Sequence, residues 1–169
     1  MGRRRYFKRT SQKDKYSIER TSIRTDTTDH WTEIAAEADA ALSYQTYHTI
    51  VAPSNTQGMR KVKHLTITAS NGGLSSNNPL YYVIAYVPQG YNPQKIYMPN
   101  VGTAIDTYQA NQYVMSSGWL DFDGGPLRIR TPLSRNLNSG DSIVLILGSY
   151  YNNANLFYIF DVTYAITLQ

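Results

Sequence analysis

The segment "NLFYIFDVTYAITL" (155–168) constrains the fold more than any other part of the chain. Leu156, Tyr158, Phe160, Val162, Tyr164, Ile166 and Leu168 share one parity, while Asp161, Thr163 and Thr167 fall on the other. A period of two sustained over that length is a strand with one buried face; a helix would scatter the same side chains around its circumference. Such a strand cannot bury its apolar face alone. It requires neighbours in its own sheet and a second layer packed against it.

Candidate neighbours recur along the chain. "SYQTYHTIVAP" (43–53) ends at a proline stop, and "RKVKHLTITAS" (60–70) alternates Leu65, Ile67 and Ala69 against His64, Thr66 and Thr68. "LYYVIAYVP" (80–88) is apolar or aromatic at every position before its proline. That pattern suits a strand covered on both faces, or one whose second face meets a subunit neighbour. "NQYVMSSGWLDF", "PLRIRT" and "SIVLILGSYY" follow, each fenced by Gly, Pro, Asn or Asp. Fifteen Tyr, with many Thr, Val and Ile, fit pleated surfaces. The Ala-rich run Glu33–Leu42 reads as a short helix, marginal at ten residues without packing, and residues 33–42 are left between helix and strand. Pro88 to Gln112 has few strand signals and reads as a long, exposed connection. About eight strands without βα alternation or a fixed-period repeat predict an all-β, eight-stranded antiparallel jelly-roll sandwich.

Charge is distributed unevenly. Residues 1–24 carry nine cations against Asp14 and Glu19, a net +7, whereas residues 25–169 carry seven Lys and Arg against ten Asp and Glu, a net −3. The expected organisation is a short basic, flexible N-terminal arm (1–24) on a single domain (25–169). Tyr6 and Phe7 sit between Arg5 and Lys8, and Tyr16 follows Lys15, so aromatic stacking on bases can accompany phosphate neutralisation. Arg3, Arg4, Arg5, Tyr6, Phe7, Lys8, Arg9, Lys13 and Lys15 are therefore candidate nucleic-acid contacts. A solvated tail and a nuclear-import signal are the alternative readings of the same residues. Arg60, Lys61 and Lys63 form a second candidate patch on the body, with solvated strand-end charge as its alternative.

Little else points to chemistry. The chain has no Cys, which excludes disulfides and zinc–thiolate sites, and no apolar run reaches the ~20 residues of a membrane helix. A soluble protein without membrane insertion is expected. No nucleophile elbow, P-loop or H-E-x-x-H motif is present, so an enzyme is not expected and no cofactor is implied. His30, His48 and His64 are scattered, and read as hydrogen-bonded strand or loop residues rather than metal ligands. Asp121-Phe122-Asp123-Gly124-Gly125 offers two carboxylates for an ion but lacks the further oxygen ligands of a Ca²⁺ loop, so it reads as a strand-end turn. Asn138-Ser139-Gly140-Asp141 reads as the turn leading into "SIVLILG".

The order of these pieces resembles a known family. "QGMRKVKHLTITAS", "PLYYVIAYVPQGYNP" and "YQANQYVMSSGWLDFDGGPLRIRTPLSRNLNSGDSIVLILG", behind a basic arm, look like the capsid proteins of circular, replication-protein-encoding single-stranded DNA viruses, the circovirus-like group. The likeness spans about residues 58–149. "YVPQGYNP", "NQYVM" and "LSRNLNSGDSIVLI" are its specific parts, and the arm is generic. The resemblance implies a jelly roll that self-assembles into a small icosahedral shell of sixty copies, and an inward arm that packages circular ssDNA. It also implies residence in the virion and in the host nucleus during assembly, with host import machinery as a partner. A cellular single-stranded nucleic-acid-binding β-barrel and a β-sandwich recognition module are the competing classes.

Overall fold

The alternating C-terminal segment is the inner spine of one sheet in the computed structural model. The structure describes residues 16–25, 31–34, 43–55, 58–72, 78–93, 95, 113–122, 125–150 and 157–168. Among these are ten strands: β1 (Ser17–Thr25), β2 (Thr32–Ile34), β3 (Ser43–Val51), β4 (Arg60–Asn71), β5 (Leu80–Val87), β6 (Tyr113–Leu120), β7 (Leu127–Arg130), β8 (Arg135–Leu137), β9 (Ser142–Ser149) and β10 (Tyr158–Leu168). The protein is all-β, with two five-stranded antiparallel sheets. Sheet A runs β1-β10-β4-β7, with β8 also paired to β4; sheet B runs β2-β3-β9-β5-β6. Among the eight longer strands four pairings nest, β1 with β10, β3 with β9, β4 with β7 and β5 with β6, and β10–β4 and β9–β5 join these pairs within each sheet.

Side-chain parity explains why the two sheets face each other. Phe160, Val162, Ile67, Leu65 and Ile129 from sheet A meet Leu80, Ile84, Leu145 and Leu147 from sheet B in one buried cluster. The predicted alternation in β4 and β10 holds over Leu65–Ala69 and Tyr158–Val162. It breaks where the pairing shifts between Thr163 and Ala165. There His64 and Leu65 together oppose Tyr164, and His64 takes φ 55°, the left-handed conformation of a bulge residue. The bulge resets parity, so that both Val62 and Leu65 point inward.

Several expectations shift. Ten strands are described where the sequence suggests about eight. Glu33 and Ile34, the start of the Ala-rich run, belong to β2; residues 35–42 lie outside the described residues. Ser17–Arg24, assigned to the arm by charge, form most of β1 and pair with β10 from Ser17↔Ile166 to Thr25↔Tyr158. The physical reason is that an edge strand needs few apolar residues: only Ile23 and Thr25 of β1 are drawn toward the core, and Thr25 Oγ1 accepts the Tyr158 N–H at 2.9 Å.

The 138–141 turn has the predicted role. The Asp141 N–H donates to the Asn138 carbonyl at 3.2 Å, while the Asp141 carboxylate accepts the Asn138 N–H at 2.7 Å. Gly140, at φ +80°, sits where a Cβ would lie 2.5 Å from the Gln89 side chain, so the turn requires glycine for both conformation and space.

Candidate nucleic-acid interface

Inward parity in sheet A is apolar, and outward parity is basic. Across the outer face, register rows run Ile18–Ala165–Lys63, Arg20–Thr163–Thr66–Arg130 and Ser22–Asp161–Thr68–Arg128, flanked by Arg24 opposite Ile159 and Thr167 opposite Lys61. Six cations therefore share this face: Arg20, Arg24, Lys61, Lys63, Arg128 and Arg130. Among the described residues, Asp161 is the single carboxylate at these outward positions. The segregation is sharp because the domain beyond residue 24 is net acidic, yet four of its seven cations lie here. With strands ~4.8 Å apart, Arg20 and Arg130 are about 14 Å apart across the sheet, a spacing that spreads charge along a polyanion rather than focusing it on one small ion.

The described chain begins at this same face, directly after the N-terminal basic segment. Tyr16, the first described residue, accepts a hydrogen bond from Lys63 Nζ, which also stands 4.7 Å from the centre of the Tyr16 ring. Tyr16, which follows the basic segment in the chain, thus stands beside Lys63. Arg3, Arg4, Arg5, Tyr6, Phe7, Lys8, Arg9, Lys13 and Lys15 lie outside the described residues.

The second predicted patch is divided by strand parity. Lys61 and Lys63 face outward, half-buried along their stems. Arg60 does not: it is 8% exposed, and its guanidinium donates to the carbonyls of Ala52 (3.1 Å) and Asp141 (3.2 Å). Its charge is absorbed by backbone at the end of the sandwich, so Arg60 is removed from the candidate interface. Arg135 also turns away from the outer face and is half-buried, its guanidinium 4.5 Å from the Tyr86 ring centre and 4.9 Å from that of Tyr113.

Asp141 completes this inner pin. Its carboxylate accepts the Tyr86 hydroxyl at 2.7 Å and the Gln89 N–H at 3.0 Å. Burial first, then the hydrogen bond and negative charge of Asp141, push Tyr86 up to about 12. Burial alone pushes Tyr158 up to about 12.

The residues that sequence reasoning missed are Arg20, Arg24, Arg128 and Arg130 as members of a face. Their signal was present as parity, Arg128 and Arg130 alternating with Leu127 and Ile129. The histidines do not converge: His64 is exposed at the bulge, His48 is in β3, and His30 lies outside the described residues. Among the described residues no three His, Asp or Glu side chains lie together as a metal site. Asp123 also lies outside them, as does most of the predicted connection 88–112; its start turns at Gly90, where the Tyr91 N–H donates to the Pro88 carbonyl at 3.2 Å. Among the described residues no helix is long and apolar enough to cross a membrane. No protein-family model matches the chain, and a search of curated proteins finds no match either.

Proposed function

We propose that the chain is a viral capsid protein of the circovirus-like kind, an eight-stranded jelly roll that closes into a small shell of its own copies around single-stranded DNA. The eight longer strands support the topology: nested antiparallel pairs, first with last and inward to β5 with β6, are what a long hairpin produces when it rolls into two sheets. The observation that carries the functional reading is the collection of an acidic domain's cations on the outside of one sheet, beside the attachment point of the basic segment. In this reading, sheet A faces the interior of the shell and the genome. Residues 1–15, with seven cations against Asp14, add the longer-reaching grip and serve nuclear import before assembly.

The cellular single-stranded nucleic-acid-binding reading fares less well on the open face. A base-stacking platform requires several aromatic side chains among the cations, whereas the rows across sheet A hold Thr, Ser, Ala and Ile, and among the described residues Tyr16 beside Lys63 is the single aromatic at their margin. That surface suits phosphate contacts without base reading.

Electron microscopy and nucleic-acid content of the purified full chain test the proposal. Closed particles of uniform diameter, which lose most of their DNA when residues 1–15 are deleted but still assemble, are expected. A deletion to residue 24 is the wrong experiment, because it removes β1 and uncovers the edge of β10. Monomers under all assembly conditions, or full-length genome in the truncated particles, would refute it.

A further inference from the structure

β4 changes partner along the rim of sheet A. It pairs with β7 over residues 66–69 and with β8 over residues 60–62, and residues 131–134 cross the interval, where the His64 bulge lies. The crossing is fixed: the Thr131 N–H donates to the Leu65 carbonyl at 3.1 Å, and Thr131 Oγ1 accepts the Leu133 N–H at 3.3 Å. A depression of about 310 Å³ remains, lined by His64, Thr66, Arg128, Arg130, Thr131 and Pro132. That volume is at the lower end of small-ligand sites and suits a sugar–phosphate unit better than a lone ion. His64, Arg128 and Arg130 are all exposed, and among the described residues no ion pair neutralises either arginine.

The other charged and titratable groups around His64 are engaged or set apart. Lys63 of β4 donates to Tyr16, and the Arg135 guanidinium of β8 lies over Tyr86 and Tyr113. Tyr164 of β10, opposite the bulge, is a phenol that burial and then the charge of Glu19, its partner on β1, push up. Asp161 lies opposite Thr68, and Arg20 shares the row of Thr66 and Arg130. Imidazole is the side chain whose charge ordinarily changes between pH 5 and 8. Protonation of His64 turns a seat of two cations into one of three.

We infer that this depression seats one backbone phosphate of a bound single strand, with Arg128 and Arg130 as permanent donors and His64 as a donor that switches on as pH falls. The inference rests on the nucleic-acid reading above and deepens it: the six cations of the open face bind phosphates at any pH, and the seat at the bulge makes the grip pH-dependent.

The test follows the anisotropy of a labelled oligo-dT with the full-length chain at about pH 7.5 and about pH 5.8, across the imidazole window. The wild type should bind about threefold more tightly at the lower pH, the size of one exposed ion pair. Its slope of log affinity against log salt should steepen by about 0.7, one phosphate contact. His64→Asn, which keeps a residue type that accepts positive φ, should match the wild type at the higher pH and lose the response. His30→Asn should keep the response, and Arg128→Gln/Arg130→Gln should weaken binding at both pH values. About 10 mM inorganic phosphate, exchanged for chloride at constant ionic strength, should leave the response in place, because the seat holds a strand rather than the free anion. Equal affinity of the wild type at both pH values, a response that survives His64→Asn, or one that free phosphate abolishes would overturn the seat and leave the basic face standing. Failure of the wild type to bind oligo-dT at either pH would defeat both readings.

Discussion

The outer faces of the two sheets are opposites. Sheet A turns six cations and a set of small polar residues to solvent. Sheet B turns Tyr81, Val83, Ala85, Val87, Val144 and Ile146 outward in parity, and these residues form a second buried cluster, with Val83 and Ala85 at 0% exposure. Described residues beyond β5 contribute at its margin: Pro93 and Lys95 share a depression of about 190 Å³ with Gln45, Tyr47 and Ile146. The difference shows that one architecture assigns two tasks by parity alone. A strand that alternates gives its sheet a free face for charge, and a strand that is apolar throughout commits its sheet to being covered on both sides.

The largest effect should come from giving the two faces the same charge. Val83→Asp places an unpaired carboxylate in the covered face and should cost about 3–5 kcal/mol in chemical denaturation. Thr163→Asp, outward on sheet A, should change stability by no more than about 0.5 kcal/mol while weakening ssDNA binding in a filter assay. Equal stability losses would erase the distinction between the faces.

The pin that joins the sheets should show an intermediate effect. Asp141→Asn weakens acceptance from Tyr86, Gln89 and Asn138 at the end where Arg60 and Arg135 of sheet A reach across. A loss of about 2 kcal/mol is expected in urea unfolding, with ssDNA affinity of the folded protein unchanged.

The alkaline limb of stability sharpens the contrast between core and surface. Tyr86 and Tyr158 ionise near 12 when folded and near the ordinary 10 when unfolded. Between those values the unfolded chain has lost protons that the folded chain keeps, so stability is full below pH 10 and falls as pH rises toward 12. Thermal melts across that window should fall less steeply for Tyr158→Phe than for the wild type. Parallel curves would show that the buried hydroxyl does not govern this limb.

The smallest effect belongs to the tether. Lys63→Gln loses an exposed contact with Tyr16 and should cost under about 1 kcal/mol. It should also lower the slope of log affinity for ssDNA against log salt by about 0.7, one phosphate contact. An unchanged slope would take Lys63 off the interface.

Much of the sheet framework was legible in the sequence, because β3, β4, β5, β9 and β10 carry either alternation or unbroken apolar runs. β1 was not: "SIERTSIRT" has the composition of a tail, and its place is set by backbone pairing with β10 rather than by its own side chains. β2 and β8, at three residues each, are too short to show a period. The bulge at His64 was also hidden, since left-handed geometry at a non-glycine residue leaves no compositional trace. The interface was half legible. Charge counting located the basic segment, but a count along the chain cannot show that Arg20, Thr163, Thr66 and Arg130 form one row from four separate strands. Nor can it show that Arg60, two residues before the inward Val62, shares its parity and is buried.

The salt dependence of ssDNA binding tests the central claim most directly, comparing the full chain with a variant carrying Arg20→Gln, Arg24→Gln, Arg128→Gln and Arg130→Gln. If the outer face of sheet A meets phosphates, the slope of log affinity against log salt should flatten by about 2.8, four contacts at about 0.7 each. An unchanged slope in a variant that remains folded would contradict it.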